Sequence, residues 1–266
     1  MMDGLNEEFE RTTLPDRGSA AAPQEAFQGM IADLKASMTR DFICVDAQRN
    51  PVAINLDRLG VTALQQVVSF YSRFPARIVE FLKAARDIAR ENGWRTIDTE
   101  LTRNIGEELG TESPKPHYDH LVSGTVDAMG FNVEAPSWGE SLSTKRFLDG
   151  MQQITQDSAR PYRALGGIYA AECSAVKELL IVKALLNKIS QSQGGTDLSE
   201  TSELGHFLAS HIEEWEVGHE DKLVSAASDH VTSEETRAQF AEGFIAVLGI
   251  MDEWWSGVYS EVEACS

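Results

Sequence analysis

The sequence predicts an all-α fold in a single domain. From residue 26 onward, apolar residues recur with the 3.6-residue period of one helix face, and the first such segment carries Phe27, Met30, Ile31 and Leu34. No stretch of convincing length alternates apolar with polar residues, as a half-buried strand would. The chain has 266 residues, which is enough to bury one large hydrophobic core.

The predicted elements follow one another through short connections. Residues 1–24 are polar and poor in aromatic side chains, so we expect a flexible tail ahead of a helical domain at 25–264. Pro75 predicts a kink or break in the second apolar segment, and Pro136 indicates a loop at 130–143. Helices are predicted at 26–39, 61–91, about 96–110, 117–129, 144–156, 159–190 and 200–228, and a last helix starts at a capping box of Thr232 and Glu235.

The composition disfavours several classes of function. The formal net charge is −19, which argues against nucleic acids and anionic membranes as partners because both bind clustered Lys and Arg. Three widely spaced cysteines, Cys44, Cys173 and Cys265, indicate neither a disulfide framework nor a zinc motif. With no 18-residue apolar run and no signal peptide, we expect a cytoplasmic protein. A homodimer is compatible with the sequence.

Glu172 is the most informative residue, because it lies in the middle of an apolar helix face. It follows Leu165, Ile168 and Tyr169 and precedes Val176 in the i, i+3, i+4, i+7 spacing of one face. Burying a carboxylate there is unfavourable by several kcal/mol unless it is paired or binds a metal. The sequence therefore predicts that Glu172 is part of a metal site.

A second inward carboxylate is predicted near the end of the helix at 96–110. Glu108 continues the apolar face of Leu101 and Ile105, whereas Glu107 is predicted to lie on the solvated side with Asn104.

The connection after this helix leads to two histidines. His117 is the predicted ligand, and His120, one turn later, is the alternative.

The third group of candidate ligands is His211, Glu216 and His219. A regular α-helix would spread them over roughly 140° of its circumference. One inserted residue in a π-bulge reduces that spread to about 60°, and such bulges are frequent at functional sites. We therefore predict a one-residue bulge that turns all three side chains inward, with Glu214 as the alternative to Glu216.

Together these residues form a mixed set of nitrogen and oxygen ligands. Carboxylate and imidazole suit iron or manganese, and helical bundles commonly hold dimetal carboxylate sites. His206 and His230 are assigned to the surface or to the surroundings of the site, and Glu220 to the surface.

Four segments of the chain resemble the heme-oxygenase-like diiron oxidases and oxygenases, and the resemblance is greatest to the amino-acid-cleaving lyases of the terminal-alkyne amino-acid pathway. It covers most of the chain from about residue 60 onward, including the Phe240–Phe244 and Trp255 region. The four segments are Asn104-Ile-Gly-Glu-Glu108-Leu-Gly110, Ala164-Leu-Gly-Gly-Ile-Tyr-Ala-Ala-Glu172, His206-Phe-Leu-Ala-Ser-His211 and Glu216-Val-Gly-His219. Two features depart from the family pattern: the closing helix has spacings of five and eight where four and seven are usual, and the connection from Glu108 to His117 is longer.

The resemblance implies a heme-oxygenase-like helical bundle that binds two Fe(II), with Mn as an alternative metal, and uses O2 as co-substrate. Glu108, His117, Glu172, His211, Glu216 and His219 would be the ligands, with Glu172 bridging. Tyr169 would lie behind the ligands or in the substrate pocket.

The expected activity is oxidation of a free amino acid or related small amine by C–H abstraction, in natural-product biosynthesis. Desaturation, fragmentation and ring closure remain open as outcomes. An N-oxygenase or nitrile-forming enzyme of the same family is the alternative, and a non-catalytic helical binding protein is a further one. A hydrolase of the thiamin-salvage type would need a pocket cysteine, whereas Cys173 lies about 100° around the helix from Glu172.

Overall fold

A computed structural model describes residues 21–111, 113–199, 202–212 and 216–264, with the backbone alone at 21, 22, 216 and 217. Within these ranges the chain is all-α and has no strand, as the sequence predicts. The predicted tail falls largely on residues 1–20, outside the described ranges. The helices are α1 (Ala21–Asp41), α2 (Val61–Ser72), α3 (Ile78–Glu91), α4 (Arg95–Glu108), α5 (His117–Met129), α6 (Leu142–Thr155), α7 (Pro161–Ser192), α8 (Glu203–Ser210), α9 (Glu216–Ala227) and α10 (Glu234–Glu263).

Local sequence signals account for the separation of α2 from α3 and for the start of α10. The break expected at Pro75 is confirmed, because α2 and α3 are separate helices on either side of it. The capping box of α10 is displaced by one residue from the prediction. Ser233 Oγ accepts from the Thr236 N–H at 3.1 Å and Thr236 Oγ1 accepts from the Ser233 N–H at 3.0 Å, so Thr232 and Glu235 do not form it.

The helix predicted at 200–228 is interrupted near its middle. The backbone at His211 and Ile212 is π-helical, and regular α-helix resumes at Glu216. A departure from α geometry at His211 is therefore confirmed. The remainder of the predicted bulge, with Glu214 and Trp215, lies outside the described residues.

The central pair of helices is α7 and α10, which pack closely along much of their length. Glycines allow this close approach: a Cβ on Gly166 would overlap the Phe240 carbonyl, and a Cβ on Gly243 would overlap the Arg163 carbonyl. Phe240 and Phe244 of α10 are fully buried against Tyr169 of α7, with ring centroids 5.5 and 5.8 Å from the tyrosine ring.

Helices α3, α5 and α9 contact α7 directly, and α4 and α8 pack against these helices. Helix α4 packs between α3 and α9, α9 packs on α7, and α5 packs on α8. The ends of α4 and α8 and the start of α5 are thereby brought next to the segment of α7 that carries Glu172. In the described part of the chain, no helix is both long and apolar enough to cross a membrane.

Candidate metal centre

Three predicted ligands converge on one point. Single ligand atoms of Glu108, His117 and His211 lie within 4.8 Å of one another. His117 Nδ1 is 3.5 Å from Glu108 Oε2 and 3.1 Å from His211 Nε2. Both histidines are buried, and Glu108 is mostly buried. Two imidazoles and a carboxylate gathered in this way offer a nitrogen-and-oxygen ligand set to a metal ion.

Neighbouring groups fix the tautomer and the protonation state of His211. Its Nδ1–H donates to the Phe207 carbonyl at 2.8 Å, which leaves the lone pair of Nε2 toward His117. Burial lowers the pKa of His211 to about 3, and the nearby His117 acts in the same direction. The imidazole is therefore neutral at physiological pH, which is its metal-binding form.

A tight connection brings His117 to Glu108. Helix α4 is followed by Gly110 in the left-handed region at φ +80°, and a Cβ there would overlap the Lys115 backbone. Pro116 then precedes His117, the first residue of α5. The chain reverses within these few residues, so the side chain at the start of α5 reaches the one at the end of α4.

A second group of polar residues surrounds His219. Its Nδ1 lies 3.3 Å from Glu172 Oε2, and its Nε2–H donates to Glu107. The other oxygen of Glu172 accepts from Asn104 Nδ2 at 2.8 Å. Burial acts to raise the pKa of Glu107, but hydrogen bonds from Arg103 and His219 outweigh it and hold the pKa below its usual range.

The prediction that Glu107 and Asn104 face solvent is wrong. Asn104 is 4% exposed and bonds Glu172, and the side chain of Glu107 is 19% exposed and bonds His219. The reason is that α4 is covered by α3 on one side and by α9 on another, so its buried sector is wider than its apolar stripe. Spacing could have identified Asn104, which falls three residues after the buried Leu101.

Glu220 is also misassigned as a surface charge. It forms an ion pair with Lys35 of α1 and accepts from Tyr169 Oη at 3.2 Å. Tyr169 is fully buried, and burial raises the pKa of its phenol. The hydroxyl of Tyr169 therefore lies beside Glu220, which directly follows His219 in the sequence.

The remaining candidates are separated by their partners. His120 Nδ1 is 2.9 Å from Glu203 and its Nε2 is 3.0 Å from Ser113, so both ring nitrogens face α8 or the preceding loop, away from Glu108. His206 is exposed, and His230 stacks on Trp94 with centroids 5.5 Å apart. The Glu214 and Glu216 side chains lie outside the described residues.

A mainly apolar cavity of about 80 Å³ borders the site. Glu108, His117, Glu172 and His211 contribute to its wall, as does Glu178, which is not among the site residues predicted from the sequence. Glu178 lies three residues after Ala175 and four before Val182, both in the same wall, so helical spacing could have identified it.

Cys173 is placed differently from Glu172. Its buried thiol lies near Tyr169 and Glu220, and burial, with the charge of Glu220, raises its pKa to about 12. A thiol in this state is a poor nucleophile at neutral pH.

Comparisons with known proteins agree with this architecture. A CADD-like protein of unknown function from Nostoc punctiforme superposes with a TM-score of 0.81 at 26% identity, covering 90% of this chain and 99% of that one. A TenA homolog from Pseudomonas syringae pv. tomato, with a TM-score of 0.59 at 14% identity, covers 96% of this chain and 100% of that one and shows a common fold.

A curated relative is also similar in sequence. The 4-chloro-allylglycine synthase of Streptantibioticus cattleyicolor is 29% identical over 160 residues, which are 60% of this chain. The match spans 57% of the length of that relative. Residues 28–261 match the family described as "Domain of Unknown Function with solved-structure structure (DUF3865)". These relatives and the helical bundle support the resemblance to the heme-oxygenase-like family, near the terminal-alkyne pathway enzyme. The chain belongs to the DUF3865 family.

Proposed function

We propose that the protein is an O2-dependent non-heme diiron oxidase that acts on a free amino acid or related small amine by C–H abstraction, in natural-product biosynthesis. The observation that carries the proposal is the convergence of Glu108, His117 and His211 on one point in the wall of an apolar cavity. A small organic molecule in that cavity would lie directly beside the ligand atoms.

The donor set fits iron. Two nitrogens bound to one metal at about 2.1 Å lie about 3 Å apart when they subtend roughly a right angle, close to the 3.1 Å between His117 Nδ1 and His211 Nε2. Glu172 borders the cavity and also contacts His219, which suits a carboxylate shared by two ions. Two Fe(II) held here would supply reductive activation of O2.

The protein's own contribution is to orient ligands and exclude water. The Phe207 carbonyl fixes His211, and Glu107 holds the Nε2–H of His219 while Nδ1 remains toward Glu172. Ligating histidines commonly donate their second N–H to a carbonyl or carboxylate in this way, which fixes both tautomer and ring orientation. The apolar wall limits entry of water to the reacting centre.

The relative's name, 4-chloro-allylglycine synthase, supports an amino acid as the class of substrate. Desaturation, fragmentation and ring closure would all start from the same attack on a C–H bond. N-oxygenation or nitrile formation requires the substrate nitrogen, in place of a carbon, to face the ligand cluster.

The test is anaerobic loading with Fe(II), measurement of bound iron, and stopped-flow absorbance after O2 addition across a panel of amino acids. His211→Ala is compared with His206→Ala, which removes an exposed histidine of α8. We expect about two irons per chain in the wild type and in His206→Ala. We expect loss of at least one iron, and of substrate-dependent O2 consumption, in His211→Ala.

Product analysis then separates the reaction types. A cleaved or unsaturated carbon chain supports C–H abstraction, whereas an N-oxygenated product or a nitrile supports the alternative. Wild-type protein that takes up no iron would contradict the proposal and favour a non-catalytic binding protein.

A further inference from the structure

Glu178 is a second kind of carboxylate in the cavity, distinct from the candidate metal ligands. It lies on α7 six residues after Glu172 and is 4% exposed, yet it contributes to the cavity wall. Among the described residues it does not join the group of potential metal ligands formed by Glu108, His117 and His211. We therefore expect the partner of Glu178 in the cavity to be a group other than a metal ion.

One hydrogen bond holds this carboxylate from behind. The fully buried Trp255 of α10 donates its Nε1–H to Glu178 Oε1 at 2.8 Å. In the described part of the chain no hydrogen bond reaches Oε2. The side chain is thus fixed in orientation while half of its hydrogen-bonding capacity remains available at the cavity.

The surroundings of Glu178 favour a positively charged ligand. The described residues lining the cavity include no Lys or Arg, although three carboxylates contribute to its wall. Phe74, Tyr118 and Phe207 present aromatic rings to the same space. Aromatic faces and a buried carboxylate together form the environment that binds ammonium groups in proteins.

We infer that Glu178 binds the ammonium group of the substrate, whose apolar carbon chain lies against the aliphatic and aromatic wall. This assignment rests on the proposed function only in taking the cavity as the substrate site. It identifies the substrate as a molecule with an ammonium group at one end of an apolar chain, either the α-ammonium of an amino acid or a distal one.

The protonation state of Glu178 provides a signature. Burial raises its pKa to about 8, against the opposing effect of the Trp255 N–H, and the negative charge of Asp252 on α10 adds to the rise. The buried thiol of Cys44, in the connection after α1, also interacts with Glu178, and burial raises the pKa of this thiol. Near neutral pH the empty cavity therefore holds a protonated Glu178, and a bound ammonium would displace that proton.

The test is calorimetric binding without O2 to wild type, Glu178→Gln and Glu253→Gln, in metal-free and Fe(II)-loaded protein. The glutamine at 178 keeps an acceptor for Trp255, and Glu253→Gln makes the same charge change at an exposed position of α10. The probes are L-lysine, L-norleucine and n-pentylamine, which carry both ammonium groups, the α-ammonium alone and the distal one alone.

We expect at least one probe to bind the wild type and Glu253→Gln equally, with Kd raised tenfold or more in Glu178→Gln. The pattern of probes bound identifies which ammonium group is recognised. A smaller change in Kd, or no binding of any probe, overturns the inference.

A second measurement uses only the wild-type protein, so its result does not depend on whether a variant folds. Binding to wild type at pH 7 is repeated in buffers of different ionisation enthalpy, and we expect release of close to one proton. Absence of proton release overturns the assignment. Failure of the proposed function is seen separately, as absent iron uptake or O2 consumption, and metal-free protein would still bind the amine.

Discussion

Replacing Glu178 with Gln should change how stability depends on pH. The folded-state pKa is raised from 4.5 to about 8, so the folded protein binds the proton more tightly than the unfolded chain does. The contribution of this group to stability is fully present below pH 4.5 and is lost as pH rises toward 8. A glutamine is neutral at every pH, so the stability of Glu178→Gln does not include this pH-dependent decrease.

The magnitude follows from the shift. One pKa unit corresponds to about 1.4 kcal/mol, so the full shift corresponds to about 5 kcal/mol. The interval from pH 5.5 to 7.5 lies inside the range between the two pKa values. Over these two pH units, the free energy of unfolding of the wild type should fall by about 3 kcal/mol relative to that of Glu178→Gln. The comparison isolates this residue, because His211 and other groups titrate in both proteins.

Urea denaturation of metal-free protein at several pH values measures the effect. We expect the free energy of unfolding of Glu178→Gln to rise relative to wild type as pH increases from 5.5 to 7.5. The exposed control Glu253→Gln should run parallel to wild type across the same range. A wild-type-to-Gln difference that stays constant with pH would show that Glu178 is ionised in the folded protein, and the reasoning from its burial would fail.

Two further predictions concern helix packing and ligand orientation. Gly243→Ala should destabilise the protein by at least about 1–3 kcal/mol, because the added methyl group overlaps the backbone of α7. Gly249→Ala is the control on the same helix: its methyl group meets open space, so thermal denaturation should show a neutral or stabilising effect. Glu107→Gln should weaken iron binding about 10–100-fold, because His219 loses the carboxylate that orients it. Glu100→Gln also removes a partner of Arg103 and should leave iron affinity unchanged. Anaerobic iron titration measures both variants, and equal affinities would contradict a role for Glu107 in holding the histidine.

The sequence alone is sufficient for the all-α class, for the break at Pro75 and for the inward placement of Glu108 and Glu172, whereas the choice of His117 over His120 required the structure. Each of these depends on local properties: helical periodicity, the geometry of proline, and carboxylates within apolar faces. The irregular backbone at His211 was also predictable, because a regular helix would spread His211, Glu216 and His219 too widely to share one site. These signals extend over only one or two turns of chain.

Tertiary packing decided the remaining features. Glu107 faces inward because α9 covers a polar side of α4, which helical periodicity alone assigns to solvent. Glu178 is held by Trp255, 77 residues away, and its raised pKa comes from burial between two helices. A polar side chain carries the same local pattern whether a neighbouring helix or water covers it, so its partner and its charge state are set only when the helices pack.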